Sequence, residues 1–414
     1  MQGVEARAGR SKVLLLADDI NERGGIRTRV LGEISAVSDH SDILLVVKTC
    51  ARNLHIIQRT RDEIRASYQG TRTVFVPFLP HQDLPILKEL FTAANCLLLF
   101  LVGLVLSHSW RPDSIYSHNM ECSSSALALG RLLGLPMTAD LHGDEVEENV
   151  ANNGWRKGGF RNRIWRRWLK QVIVRSPLAV CVSERHKRHL EGAYGRLKPS
   201  IVIPCCISAS CFPADEDLNE ARKDLAFANH DYALLYCGSA FKYQMLDEMV
   251  RLFRKLRSDG ENCAILLLIS DAGSLGAVRR MFTDSELSSV RMKSVAHESV
   301  IAYAHLADIA LLFREDTLFN NISSPTKFAE YLCAGLPVLM TQGIGDYSDI
   351  VKQQNIGSIV DLPRLSEPGY ATGIVRELMA KGPFKERCRE YFLGNLAWNS
   401  YQEPLLRAFS VGKG

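Results

Sequence analysis

Ser323-Ser324-Pro325-Thr326-Lys327-Phe328-Ala329-Glu330-Tyr331-Leu332-Cys333-Ala334-Gly335-Leu336-Pro337-Val338-Leu339 is the stretch on which the fold turns. Its opening spells a helix start: hydroxyls that cap, then a proline whose missing N–H costs nothing in the first turn. Lys327 to Ala334 reads as one short helix, with Phe328, Tyr331 and Leu332 at helical spacing. Gly335 is the stop, and Leu336 to Met340 is a buried strand. A helix N-terminus offers unpaired N–H groups and partial positive charge, which suits a phosphate. Lys327 adds a full charge one turn in, and Glu330 is the helix's one acid, placed to accept hydrogen bonds from a polar ligand. The same stretch also reads as an ordinary helix-strand unit.

The residues before it repeat the strand-then-helix alternation. Strands are expected at Tyr232 to Cys237, Ala264 to Ile269, Val290 to Lys293 and Asp308 to Phe313. The first runs into Gly238-Ser239-Ala240-Phe241-Lys242-Tyr243-Gln244, and the third into Ala296-His297-Glu298. The N-terminal half has the same rhythm, with strands near Val13 to Ala17, Ile43 to Val47, Thr73 to Val76, Pro112 to His118, Met137 to Leu141, Ala179 to Ser183 and Ile201 to Pro204. Its polar groups also sit at strand ends: Gly24-Gly25 after the first and His142-Gly143-Asp144 after the fifth. Asp18-Asp19 reads as turn and capping chemistry, and Trp398 to Phe409 as a closing amphipathic helix. This alternation implies two parallel, doubly wound sheets with ligands at the C-terminal strand ends.

A chain of 414 residues is too long for one core. A net charge of +4 is compatible with an anionic ligand or anionic membrane surface and far from a nucleic-acid tail. The eleven cysteines show no zinc or redox spacing, as expected of reduced thiols in a cytosol. No signal peptide is apparent. The longest apolar run, Phe91 to Leu106, has 16 residues against the roughly 20 that span a bilayer, so a buried core helix is expected ahead of the other reading, a membrane-dipping segment. Trp155 to Lys170 is basic and aromatic, which fits a solvated helix with packed tryptophans, an anionic interface or a nucleic acid.

Several motifs resemble the large bacterial family of retaining nucleotide-sugar glycosyltransferases, of group 1 or family 4 type. Ser324 to Val338 is similar to the family's Ser-Pro-x-Lys-Phe-x-Glu-Tyr-Leu-x-x-Gly-x-Pro-Val pattern, joined by Asp140-Leu141-His142-Gly143, Val182-Ser183-Glu184 and Gly238-Ser239. The resemblance implies an α/β chain of GT-B architecture: two facing Rossmann-like domains with an interdomain cleft. It implies an acceptor domain over 1–206, a donor domain over 207–390 and a C-terminal helix segment, 391–414, that packs back across the junction. Gly24 and Gly25 would lie beneath the donor phosphates. His142 would hydrogen-bond the transferred sugar, with Asp144 on the acceptor side. Ser239, Lys242 and Gln244 fall in the diphosphate loop, and Val295 to His297 in the segment that reads the base. Ser324, Pro325, Thr326 and Lys327 would hold the diphosphate, and Glu330 the ribose hydroxyls.

Three positions depart from the pattern. The family's usual pair is Glu, seven residues, Glu; its first position is Ile322 here, with Asn320, Asn321 or Ser323 as substitutes. Ser239 stands where an Arg is usual and Gln244 where a Lys is usual, which leaves the charge to Lys242 or Lys327. The implied reaction is transfer of a hexosyl group from a UDP- or GDP-sugar to an acceptor hydroxyl, retaining and without metal or other cofactor. Its setting would be cell-surface polysaccharide or glycolipid synthesis, cytoplasmic, with peripheral contact to the inner membrane face and no nucleic acid. The other readings are a non-catalytic binding protein on the same fold and a sugar-nucleotide epimerase, which needs paired carboxylates such as Glu330 and Asp144.

Overall fold

A computed structural model describes residues 10–20, 25–50, 54–78, 88–152, 154–197, 199–225 and 230–411. Gly24 therefore lies outside the described residues. The chain folds as two units, one reaching to Pro204 and resuming at Tyr401, the other Cys205–Ser400.

The first unit contains β1 Ser11–Ala17, α1 Gly25–Val37, β2 Ser41–Cys50, α2 Leu54–Ser67, β3 Thr71–Phe78, α3 Lys88–Trp110, β4 Ser114–His118, α4 Asn119–Leu133, β5 Met137–Leu141, α5 Glu145–Asn152, α6 Phe160–Arg175, β6 Leu178–Cys181, α7 Glu184–Tyr194 and β7 Ser200–Val202. Its strands form one parallel sheet in the order β3-β2-β1-β4-β5-β6-β7. Val13 to Ala17 and Ile43 to Val47 are buried, as continuous apolar runs are when helices cover both faces of a sheet.

The second unit contains α8 Asp215–Leu225, β8 Tyr232–Gly238, α9 Leu246–Ser258, β9 Cys263–Ile269, α10 Leu275–Arg279, β10 Val290–Lys293, α11 Val300–Ala304, β11 Ile309–Leu312, α12 Leu318–Asn321, α13 Thr326–Ala334, β12 Val338–Thr341, α14 Tyr347–Gln353, β13 Gly357–Val360, α15 Tyr370–Ala380 and α16 Phe384–Asn395. Its parallel sheet runs β10-β9-β8-β11-β12-β13. The chain order jumps between β1 and β4 in one sheet and between β8 and β11 in the other. Such reversals open a crevice at the strand ends.

α13 is the hub of the second unit. Phe328 to Ala334 are all buried. Phe328 stacks on Tyr347 at 4.1 Å between ring centres. β8 and β11 pair only at Ile309 with Leu234 and Ala310 with Leu235. Beyond that fork the Tyr331 hydroxyl accepts from Cys237 N–H at 2.9 Å and donates to the Leu311 carbonyl at 3.2 Å. Buried backbone groups need such partners. Gly335 ends the helix in the left-handed conformation at φ 83°, as its sequence position implies.

The start of α13 differs from its sequence reading. Pro325 itself is the N-cap residue, and no side chain caps the helix. The Ser324 hydroxyl accepts from Cys205 N–H at 2.9 Å and bonds the Tyr347 hydroxyl at 2.8 Å, so it ties loops together. The Ser323 hydroxyl donates to the Asn320 carbonyl at 2.9 Å. Asp18 and Asp19 bond side chains of other elements. Asp18 pairs with Lys48 at 2.8 Å and accepts from Asn119 at 2.7 Å, while Asp19 accepts from the Thr49 hydroxyl at 3.1 Å.

The apolar run at Phe91 to Leu106 belongs to a longer helix than expected, and that helix is not a buried core helix. α3 has 23 residues, and the Glu89–Trp110 portion is long and apolar enough to cross a membrane. Its inner face holds Leu99 and Gly103 against the core, and its outer face is exposed leucine, alanine and valine. The closing segment is a short turn followed by α17, Gln402–Phe409. α17 docks on the first unit. Ala408 and Phe409 carbonyls accept from Thr138 and Ser114 hydroxyls, and Phe409 stacks on Tyr116.

Candidate functional site

In the second unit the functional side chains come from the ends of β8 and β11 and the first turns of α13. Gly238 closes β8 at φ 143°, and a Cβ there would lie 2.2 Å from Lys327 Cε. Only glycine permits that approach. Lys327 Nζ donates to Gln244 Oε1 at 2.8 Å and lies 3.4 Å from the Tyr236 hydroxyl, over the Tyr236 ring. Burial pushes its pKa down to about 7, and the Arg314 guanidinium nearby adds to the push.

Arg314 follows β11 directly and is buried. Its Nη1 donates to Asn320 Oδ1 at 3.1 Å, its guanidinium lies over the Tyr243 ring, and its Nε is buried with no hydrogen-bond partner. Among the described residues neither Arg314 nor Lys327 forms an ion pair with a carboxylate. A buried Arg314 beside a half-buried Lys327, neither in ion-pair contact with a carboxylate, suits an anion.

Glu330, one turn further along α13, is buried with one oxygen 3.7 Å from His297 Nδ1. Burial raises its pKa, and His297 and Lys327 pull it back. Glu330, His297 and Lys327 thus share one locality. Val295 is half-buried against the core. Ser239 meets the site through its backbone, its carbonyl accepting from the Tyr236 hydroxyl at 2.6 Å.

Lys242 is exposed. Lys327 and Arg314 are the cations less exposed to solvent here. Gln244 is buried and serves as an acceptor for Lys327. Ile322 is a buried apolar residue where the family pattern has an acid. Asn320 does not replace that acid freely. Its amide donates to the Glu315 carbonyl and the Thr317 hydroxyl while its oxygen holds Arg314. Asn321 keeps a buried oxygen with no partner, and its amide bonds Asp316 at 2.9 Å. Gly25 opens α1.

In the first unit His142 follows β5 and is about 20% exposed, at the rim of a fully buried ionic network. Its Nε2 lies 3.0 Å from His118 Nδ1 and 3.3 Å from Asp140 Oδ2. Arg29 forks onto Asp140, Nε to Oδ2 at 2.7 Å and Nη2 to Oδ1 at 2.9 Å, and its other arm holds the Ile203 and Pro204 carbonyls. Glu33 lies 3.1 Å from Arg29 and 3.3 Å from His118 Nε2. Burial holds His118 near pKa 4 despite Asp140, so its ring is neutral at physiological pH. Burial and the neighbouring Asp140 raise Glu33 well above the usual carboxylate range. Arg29 and the two histidines outweigh burial at Asp140, which stays ionised.

His118, Asp140 and His142 carry three metal-ligand atoms within 4.8 Å of one another. Both Asp140 oxygens already accept from the Arg29 guanidinium, and a cation there would sit beside that fixed positive charge. The donor set therefore fits hydrogen bonding better than metal ligation.

Asp144 is not free to meet an acceptor. One oxygen caps α5 through Val146 and Glu147 N–H at 3.0 and 3.2 Å, and the other takes His189 Nε2 and the Tyr194 hydroxyl, both at 2.8 Å. With every lone pair engaged and the side chain buried, Asp144 is a structural cap and does not serve as one of the paired carboxylates an epimerase would need. The tryptophans of 155–170 are likewise structural. Trp155 and Trp165 are buried edge to face at 5.2 Å, and the basic side chains point outward.

Sequence reading missed Arg314, Arg29, Glu33 and His118. His118 and Arg314 did carry a signal, since each is a polar residue at the end of a buried parallel strand.

Residues 53–210 match the profile of the family described as Glycosyltransferase Family 4. No curated protein sequence matches the chain. Among solved structures, HepE of Anabaena, crystallised with UDP, superposes at a TM-score of 0.67 with 12% identity, covering 96% of this chain and 99% of that one. Sucrose-phosphate synthase of Thermosynechococcus elongatus reaches 0.72 with 15% identity over 96% and 98%. WaaG, a glycosyltransferase of lipopolysaccharide biosynthesis, reaches 0.63 with 14% identity over 97% and 100%. These likenesses establish the GT-B fold along nearly the whole chain. The similarity to Glycosyltransferase Family 4 lies in residues 53–210.

Proposed function

We propose that the protein is a glycosyltransferase that moves a hexosyl group from a UDP- or GDP-sugar to a hydroxyl of a glycan or lipid-linked acceptor, with retention and without a metal. The observation that carries the reading is the neighbouring cations Lys327 and Arg314 at the start of α13, beside Gly238, neither of them in an ion pair with a carboxylate among the described residues. The leaving group is a nucleoside diphosphate, and its departure develops negative charge. Lys327, Arg314 and the first-turn N–H groups of Thr326 and Lys327 are fixed donors that stabilise that charge without reorganising. HepE was also crystallised with UDP-glucose, a donor of this class.

Glu330 accepts from the ribose hydroxyls, with His297 alongside. His142, oriented by His118 and Asp140, bonds the transferred sugar and steadies its oxocarbenium-like state. The acceptor hydroxyl attacks on the face the phosphate leaves, and its proton passes to the departing phosphate. The work is cytoplasmic, in the assembly of surface polysaccharide or glycolipid.

A thermal-shift panel of uridine, guanosine and adenosine diphosphates and their sugars tests the donor site. One nucleotide should raise Tm, and Lys327→Met with Arg314→Met should abolish the rise. No shift with any nucleotide overturns the reading. NMR of the product's anomeric proton then tests retention. The buried Ile322 favours one other reading, a nucleotide-sugar binding protein; it would bind donor yet release no nucleoside diphosphate with any acceptor.

A further inference from the structure

We propose that the outward face of α3 is a docking surface for an anionic lipid bilayer. Leu90, Leu97, Leu101 and Val105 are 67%, 57%, 48% and 71% exposed. Their spacing of seven, four and four places them on one stripe of the helix. Ala93, Ala94 and Leu98 fill the gaps, so no charged side chain interrupts the exposed face between Leu90 and Val105. A 23-residue helix is about 34 Å long. Contiguous apolar surface on this scale marks an interaction site.

The surface continues past both ends of the helix. Near Val105 it joins exposed Leu132 and Leu133 through a hollow of about 570 Å³ lined by Leu104, Val105, His108, Arg111 and Leu133. At the other end Arg161 pairs with Glu89 at 2.7 Å, which brings the start of α6 and its 71% exposed Phe160 to the start of α3.

Charge complementarity selects the occupant. α6 contains no acidic residue, and Arg163, Arg167 and Lys170 lie exposed along it. Arg111 and Arg131 stand exposed at the far end. An apolar stripe flanked by cations of one sign suits acyl chains below and anionic headgroups around.

The helix lies on such a surface and does not cross it. Thr92, Asn95 and Ser107 are buried on its inner face, the Cys96 carbonyl accepts from the Ser125 hydroxyl, and a Cβ at Gly103 would lie 3.0 Å from Leu129. Spanning would tear this face from α4 and place its polar groups in hydrocarbon.

Flotation of the full chain with phosphatidylglycerol-containing and pure phosphatidylcholine vesicles tests the proposal. The chain should rise with the anionic vesicles, bind neutral ones at least tenfold less, and lose anionic binding in high salt. Leu97→Glu with Leu101→Glu should cut the vesicle-bound fraction at least tenfold while Tm is retained. Arg163→Glu with Arg167→Glu should cut it severalfold. No flotation, or equal flotation by the leucine variant, overturns the proposal. So does a dimer in sedimentation that the leucine variant abolishes while neither form floats, since a second copy would then cover the face. Vesicle binding needs no donor sugar, so its failure leaves the glycosyl-transfer reading untouched, and failure of that reading leaves this one.

Discussion

Lys327 packs its ammonium end directly against the α-carbon of Gly238, so closely that an alanine Cβ would lie 2.2 Å from Lys327 Cε and 2.3 Å from Nζ. The glycine also holds φ 143°, which side chains disfavour. Gly238→Ala should cost about 1–3 kcal/mol in urea denaturation. It should weaken nucleoside diphosphate binding at least tenfold in titration calorimetry by pushing the ammonium aside. Adding Lys327→Ala removes the clash, so stability should partly recover while binding does not. Full binding by Gly238→Ala would contradict the placement of Lys327 as a phosphate donor.

The depressed pKa of Lys327 makes donor affinity pH-dependent. Free protein holds the ammonium charged below about 7 and neutral above it. A bound diphosphate raises that pKa, so binding takes up a proton between the two values. Affinity therefore falls as pH rises above 7 and flattens below it. A nucleoside diphosphate sugar is the right probe, because its phosphate diesters do not titrate here. Dissociation constants from pH 6 to 9 should rise, and Lys327→Gln should weaken binding and flatten the profile. Stability of the empty protein has the opposite sense. The unfolded lysine binds more protons between about 7 and its ordinary 10.5, so stability rises with pH across that window.

Arg29 and Asp140 form a buried, bidentate pair joining α1 to the end of β5. Removing one partner strands the other in a dry interior. Asp140→Asn and Arg29→Met should each cost about 3–5 kcal/mol, whereas Arg29→Met with Asp140→Leu should cost less than their sum. Chemical denaturation of the three variants checks this. Additive losses would mean that the two groups do not act as a pair.

The contrast between these sites explains what could be read from the chain alone. α13 was legible because proline and glycine bracket a helical apolar period, all within a dozen residues. The strand rhythm was legible because β6, β9 and β11 are unbroken apolar runs and β8 is one up to its closing glycine. The Arg29 fork was not, since its partner lies 111 residues away and only the fold joins them. Arg314 reads as an ordinary surface charge until β11 carries it indoors. Asp144 reads as an active-site acid beside His142, but its partners His189 and Tyr194 come from α7. The exposure of α3 was hidden for another reason: apolar residues at nearly every position leave no polar face to mark which side meets solvent. The serines before Pro325 show the limit of local rules, because tertiary partners took the hydroxyls expected to cap.

His142 is the one member of the buried network that reaches the surface of the first unit. His118 keeps its 3.2 Å approach to Asp140 without it, and Arg29 keeps its fork, so the network does not need His142 to stand. His142→Ala should therefore change stability by no more than about 1 kcal/mol. Its proposed work is done in the transition state, where an oriented hydrogen bond to the sugar gains strength as positive charge develops. Loss of one such contact lowers kcat by about 10²–10³-fold. Donor KM should move only a few-fold, because the proposed diphosphate site is at Lys327 and Arg314 and not at His142. Steady-state kinetics with the matched donor, beside a melting curve of the same preparation, separates the two effects. A variant that melts as the parent does and turns over at the parent's rate would remove His142 from the reaction.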